Sequence, residues 1–200
     1  MAKECRRDRD DEGGQYHAGV RLRALIPLAL LSTLVLAACG GSDADRFDEK
    51  GAPFTFSYPP GLQKVFADTG REVKGQDPVY RVALGTDETN VVVAATYDVG
   101  KDTAKIKPAK LAVAVERAAR SLARAINAKV PKRSDGTLGD LPAAIFEFEA
   151  PRRGLTTRVY YAFEGRTQYF VRCQWDDAGA AEIPAACDEV AETFAPAPAG

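Results

Sequence analysis

The sequence predicts an α+β domain: a single antiparallel β-sheet of about six strands with two main helices packed on it. Three observations carry that expectation. Six short segments between residues 54 and 175 are rich in β-branched and aromatic residues with alternating polarity. Two others, around 108–129 and 181–194, change to apolar spacings of three and four, the period of an amphipathic helix. The order is strands, helix, strands, helix, with short polar turns joining the later strands. That order favours an antiparallel meander over βαβ units.

Composition is consistent with such a domain. The chain has 200 residues, 46% hydrophobic and 28% charged, with a net charge of −1. This is an ordinary globular profile. It holds no cationic excess for gripping a phosphate backbone, so nucleic-acid binding is not expected. From Cys39 onward there are 162 residues, with 21 basic and 23 acidic. A chain of that size removes about 70% of its unfolded surface from water.

At the N-terminal end, Arg21-Leu-Arg23 precedes a 15-residue apolar run from Ala24 to Ala38. That is shorter than the roughly 20 residues of a membrane span, but it has the length and charged flank of a secretion signal. Pro27 sits in its first turn, where a missing N–H does little harm. Leu36-Ala37-Ala38-Cys39 then leads into Gly40-Gly41-Ser42-Asp43. These residues resemble the lipobox of bacterial lipoproteins, in which a diacylglyceryl group is attached to the Cys and a peptidase cuts before it. The resemblance implies a signal ending in Leu36, Ala37 and Ala38, lipidation of Cys39, and attachment to the outer face of the cell membrane. An ordinary cleaved signal and a short membrane anchor are the other readings. Residues 1–19 carry five acidic residues and no apolar periodicity, unlike a signal's basic head, so translation is expected to begin near Val20; a long polar extension discarded with the leader is the alternative.

Residues 40–52 are polar and Gly-rich and read as a flexible tether with an end-to-end distance of about 20 Å. The expected organisation is therefore a leader over 1–38, a lipidated Cys and tether over 39–52, a folded domain over 53–195 and a disordered tail over 196–200.

Within the domain, Phe54-Thr-Phe-Ser-Tyr58 reads as a strand closed by Pro59-Pro60-Gly61. Val79–Leu84 and Val91–Tyr97 follow, the latter with Val91, Val93, Ala95 and Tyr97 on one face. Leu111, Val115, Ala118, Leu122 and Ile126 form the apolar stripe of a helix from Pro108 to about Lys129, ended by Pro131. Lys110, Arg117, Arg120 and Arg124 lie off that stripe, and Glu116 is spaced to pair with Arg120. Their side reads as a solvated face; contact with anionic lipid headgroups is the alternative.

Three more strands, Ala143–Glu149, Thr156–Phe163 and Thr167–Trp175, are joined by Pro151–Gly154 and Glu164–Arg166. The expected core faces are Ala144/Phe146/Phe148, Val159/Tyr161/Phe163 and Tyr169/Val171/Cys173/Trp175. Matching the last two needs a three-residue loop, with Tyr161 opposite Tyr169 and Arg158 opposite Arg172 on the outer face. Glu147 and Glu149 would neighbour those arginines, with Tyr160 and Phe170 beside them. A final helix over Ala181–Phe194 buries Ile183, Cys187, Val190 and Phe194.

Cys39 set aside, the chain from that point holds Cys173 and Cys187, an even pair in a compartment where disulfides persist. One points inward from a strand and the other from a helix, which suits a bond between them; two reduced buried thiols are the alternative. The sole histidine, His17, lies in the leader. The exported part therefore has no imidazole, which removes Ser-His-Asp and Cys-His catalysis and His-ligated zinc.

The order of elements, opened by Phe54-Thr-Phe-Ser-Tyr-Pro-Pro-Gly61, resembles the PsbP-like superfamily and related actinobacterial cell-envelope lipoproteins. Some of those also carry one Cys in the last strand and one in the last helix, as with Cys173 and Cys187. The resemblance covers 53–195 and implies interaction rather than catalysis. It assigns no binding residue.

The expected function is a membrane-anchored, non-catalytic binding or assembly module, its partner an envelope protein or lipid, the chain itself a monomer. Carriage of an envelope lipid or small apolar ligand is the alternative. A carboxylate hydrolase is the remote one: Glu147 and Glu149 would stand about 6–7 Å apart, but neighbouring arginines would lower both pKa values, which is wrong for a general acid. No cofactor is expected. No metal is expected either, since Asp135-Gly136 with Asp140, and Asp176-Asp177, lack the ligand spacing of a calcium loop and read as turns.

Overall fold

A computed structural model describes residues 44–66 and 77–197. The leader, the cleavage residues Leu36, Ala37 and Ala38, and Cys39 lie outside the described residues. The strands are β1 (Asp45–Phe47), β2 (Phe54–Tyr58), β3 (Gln63–Lys64), β4 (Tyr80–Gly85), β5 (Val91–Asp98), β6 (Lys132–Leu138), β7 (Leu141–Ala150), β8 (Leu155–Glu164), β9 (Thr167–Trp175) and β10 (Ala195–Pro196). The helices are α1 (Pro108–Ala125) and α2 (Ile183–Thr193).

The sheet organisation corrects the expectation. There are two antiparallel sheets: one of seven strands, ordered β3-β4-β5-β9-β8-β7-β6, and one of three, ordered β1-β2-β10. The large sheet is buried on both faces. On one, α1 packs Val115, Ala119 and Leu122 against Ala95, Phe146, Val159, Tyr161 and Phe170. On the other, α2 and the small sheet pack Ile183, Val190, Phe54 and Phe56 against Val92, Ala94, Tyr169 and Val171. Hence Val91, Val93 and Ala95 do share a face, but Val92 and Ala94 are buried as well, none of the five more than 2% exposed. A strand covered on both sides loses its alternation.

Four strands fall where none was expected, one of them the two-residue β3. β1 lies inside the stretch read as tether: Phe47 pairs with Phe56, stacks on it at 5.0 Å and is buried. β10 lies in the stretch read as tail, with Ala195 opposite Thr55 and Pro196 opposite Phe54. Both are too short for a period to register, and each depends on β2 for its hydrogen bonds. β6 has no apolar pattern because it is an edge strand, exposed from Lys132 to Thr137. Asp135 and Gly136 therefore belong to a strand, not a turn; Gly139 and Asp140 make the turn into β7.

The β8–β9 register is also corrected. The loop has two residues, Gly165 and Arg166, with Glu164 opposite Thr167. Gly165 takes a left-handed φ of +55°, which a tight two-residue hairpin accommodates. This one-residue difference turns β9 over. Tyr161 faces Phe170, Arg158 faces Cys173 and Arg172 faces Val159. Tyr160 and Phe170 are consequently buried, on opposite faces, instead of lying together on an outer one.

α1 stops at Ala125, short of the expected Lys129. Asn127 adopts a φ of +54°, the Asn127 N–H donates to the Arg124 carbonyl, and the Ala128 N–H donates to the Ala123 carbonyl. This is the paired hydrogen bonding of a Schellman C-terminus, with Asn in the left-handed position. α2, shorter than the expected 181–194, buries Ile183, Cys187 and Val190, with Phe194 buried just beyond its end, and Cys187 is bonded to Cys173 with Cα atoms 5.9 Å apart.

Candidate functional site

Glu147 and Glu149, the acid pair expected on one face of its strand, are drawn into separate ion pairs. Glu147 lies opposite Arg158 on β8, 3.6 Å from its guanidinium, and Arg158 also donates to Asp188 of α2 at 2.7 Å. The same guanidinium lies 5.8 Å from the Trp175 ring, within cation–π range. Glu149 instead accepts from Lys129 at 2.6 Å, and that bond holds its carboxyl below the usual carboxylate range. A shallow surface depression here is lined by Lys132, Ser134, Ile145, Glu147, Arg158 and Tyr160, without Glu149. Burial raises the Tyr160 hydroxyl, an effect partly offset by Arg158. Arg172, expected in this cluster, is buried on the α1 face. The arrangement fastens α2 to the sheet and offers no paired acid and base.

Asp176 is a turn residue, as expected. Its carboxylate accepts the N–H groups of Ala178 and Gly179, while its own N–H donates to Asn90. Asn90 is buried and also held by Asp87 at 2.9 Å. Gly179 touches Asn90 so closely that a Cβ there would lie 2.1 Å from the amide oxygen. These groups close the loop end of the sheet. Among the described residues, no group of three or more Asp, Glu, Cys or His side chains is placed to hold a metal ion.

At the opposite end of the sheet lies a groove of about 900 Å³. Its walls are the β6–β7 turn, the β8–β9 hairpin and the crossing of β10 with the β1–β2 loop. Asp140, Leu141, Glu164, Tyr169, Phe194 and Pro196 are the lining residues with chemistry to offer. Tyr169 and Phe194 form a buried aromatic floor, with rings 5.6 Å apart. Burial and a hydrogen bond with Glu164 push the Tyr169 hydroxyl above its ordinary pKa. Gly139 fixes one wall: its N–H donates to the Ala191 carbonyl at 2.6 Å, and a Cβ there would sit 1.8 Å from the Phe194 carbonyl oxygen. Sequence reasoning had no way to assemble this groove, because its lining comes from four segments that meet only in the folded chain. Asp140 also occupies the β6–β7 turn, as its sequence context predicts.

The space between α1 and the large sheet is filled by Phe146, Phe148, Tyr161 and Phe170, each at most 2% exposed.

The solution structure of cyanobacterial PsbP (CyanoP) from Synechocystis sp. PCC 6803 superposes with a TM-score of 0.53 at 14% identity, covering 81% of this chain and 99% of that one. The fold is PsbP-like. A protein of Bacteroides thetaiotaomicron, solved by crystallography at 1.50 Å, is similar at a TM-score of 0.47 and 14% identity, over 76% of this chain and 48% of its own. No protein-family model and no curated protein matches the chain. At this identity, the PsbP-like domain inherits an architecture from the comparison and no site residue.

Proposed function

We propose that this chain is an exported lipoprotein, anchored through Cys39 to the outer face of the cell membrane, whose PsbP-like domain is a non-catalytic binding or assembly module. The observation that carries the anchor is Leu36-Ala37-Ala38-Cys39 behind a 15-residue apolar run with a basic flank. The module reading is supported by the absence of histidine after His17 and by the use of Glu147 and Glu149 in ion pairs. The paired state of Cys173 and Cys187 accords with an exported chain.

The test is mass spectrometry of native protein together with cell fractionation. A diacylglyceryl-modified N-terminal Cys39 and recovery with membranes are the expected results; a bare Cys39, or recovery in the soluble fraction, sinks the anchor. Cys39→Ala should release the protein from membranes with its fold intact.

Small-ligand carriage is a second reading, favoured by the groove alone. Its volume suits a small molecule, with an aromatic floor and the Asp140 and Glu164 carboxylates at the rim. Native mass spectrometry of protein taken gently from membranes should show a co-purifying small molecule that is lost in Leu141→Glu. A clean apo mass in the unaltered protein removes this reading.

A further inference from the structure

Six residue steps separate Cys39 from Asp45, where β1 begins. At full extension they span about 20 Å. β1 belongs to the small sheet, and its Phe47 packs through Phe54 and Tyr80 onto one face of the large sheet. α1 covers the other face. The molecule is thus layered, with β1 and α1 on opposite outsides. Stacked sheets lie about 10 Å apart and a helix is about 10–12 Å thick, so the outer surface of α1 stands about 25 Å from the plane of β1.

α1 is the surface that most resembles a membrane-binding element. Lys107, Lys110, Arg117, Arg120 and Arg124 are all exposed, with Val113 bare among them at 56% exposure. Its one acid, Glu116, is engaged by Arg133 at 3.1 Å and Arg120 at 3.8 Å. Laid flat on headgroups, however, α1 would hold Asp45 about 25 Å above them. The acyl chains on Cys39 begin about 5–7 Å below the headgroup surface. The required reach is then about 30 Å, whereas the fully extended tether with the Cys39 side chain and its glyceryl group spans about 26 Å, so even a taut tether falls short.

We propose that the short tether orients the domain: the β1–β2 layer, with Arg46 and the Tyr58–Gly61 turn beside Asp45, faces the bilayer, and the cationic face of α1 points away from it. This inference rests on lipidation of Cys39 and deepens it, since it says which face an envelope partner can reach. Anionic groups meeting α1 are then not headgroups of the membrane that holds the protein.

The test uses native lipidated protein in vesicles carrying a headgroup-attached quencher, with a fluorophore placed through Pro60→Cys or, separately, Arg117→Cys. Stronger quenching at position 60 is expected in both zwitterionic and anionic vesicles. Stronger quenching at 117 in either overturns the orientation while leaving the anchor intact. Equal quenching at both sites does the same. Inserting about 20 Gly/Ser residues after Gly41 adds a coil of about 25 Å and should abolish the difference; a difference that survives the insertion shows that surface chemistry, not tether length, sets the orientation. Protein that carries no lipid on Cys39 overturns the anchor and the orientation together, and the mass of the preparation distinguishes that outcome.

Discussion

Arg158 shows how one position changes meaning once its neighbours are known. From the sequence it belonged to a crowded cationic pair; in the fold it bridges Glu147 and Asp188 and lies over Trp175, with its side chain 24% exposed. Arg158→Ala should cost about 1 kcal/mol, because both acids are half-exposed and a large share of the pairing energy is screened. Urea denaturation measures it, and a cycle with Asp188→Ala isolates the coupling. Acid titration follows from other residues. Asp87 has its pKa lowered chiefly by the hydrogen bond from Asn90, Asp98 by the Gly100 N–H and then Arg166, and Glu149 by Lys129. A carboxylate whose folded pKa is lowered contributes stability that is complete above its unfolded value, near 4, and lost as pH falls through the folded one. Stability should therefore be flat from pH 7 to about 5 and decline below about 4. The urea midpoint across this range checks it, and Asp87→Asn should make the acid decline shallower.

Elements are stapled and ended by identifiable devices. The Cys173–Cys187 bond joins the last strand to the last helix across the buried face. Replacing both with Ala should lower stability by about 3 kcal/mol, as expected for a loop of this size, read as a fall in melting temperature. The end of α1 offers a finer test. Asn127 holds a φ of +54°, so Asn127→Gly should leave stability unchanged or raise it slightly, while Asn127→Ala should cost about 1 kcal/mol. The sequence had suggested Pro131 as the stop; the effective signal was Asn127, four residues earlier. At Gly139 any side chain strikes the Phe194 carbonyl, so Gly139→Ala should destabilise by more than about 1 kcal/mol and widen the groove wall.

At the scale of the molecule, the folded unit begins earlier than its first obvious strand. Phe47 is buried against Phe54, Phe56 and Tyr80, so a chain starting at Pro53 should be less stable than one starting at Ala44. Phe47→Ala should by itself cost about 3–5 kcal/mol; equal melting temperatures for the two chain starts would refute this account of the domain's edge. The sequence alone determined the six longer apolar strands, the stripes of both helices and the meander of β7, β8 and β9, and it favoured pairing Cys173 with Cys187 over two reduced thiols. Each is a local or periodic property, and burial of one face writes itself into every second or every third and fourth residue. Only the tertiary structure decided the second sheet, the edge strand β6, the face that β9 presents and the groove at the sheet's end. β1 and β10 are too short to have a period, β6 buries almost nothing, and one residue more or less in the β8–β9 loop reverses a strand, because strand faces alternate with every residue while side-chain character does not reveal which of two apolar faces meets which helix.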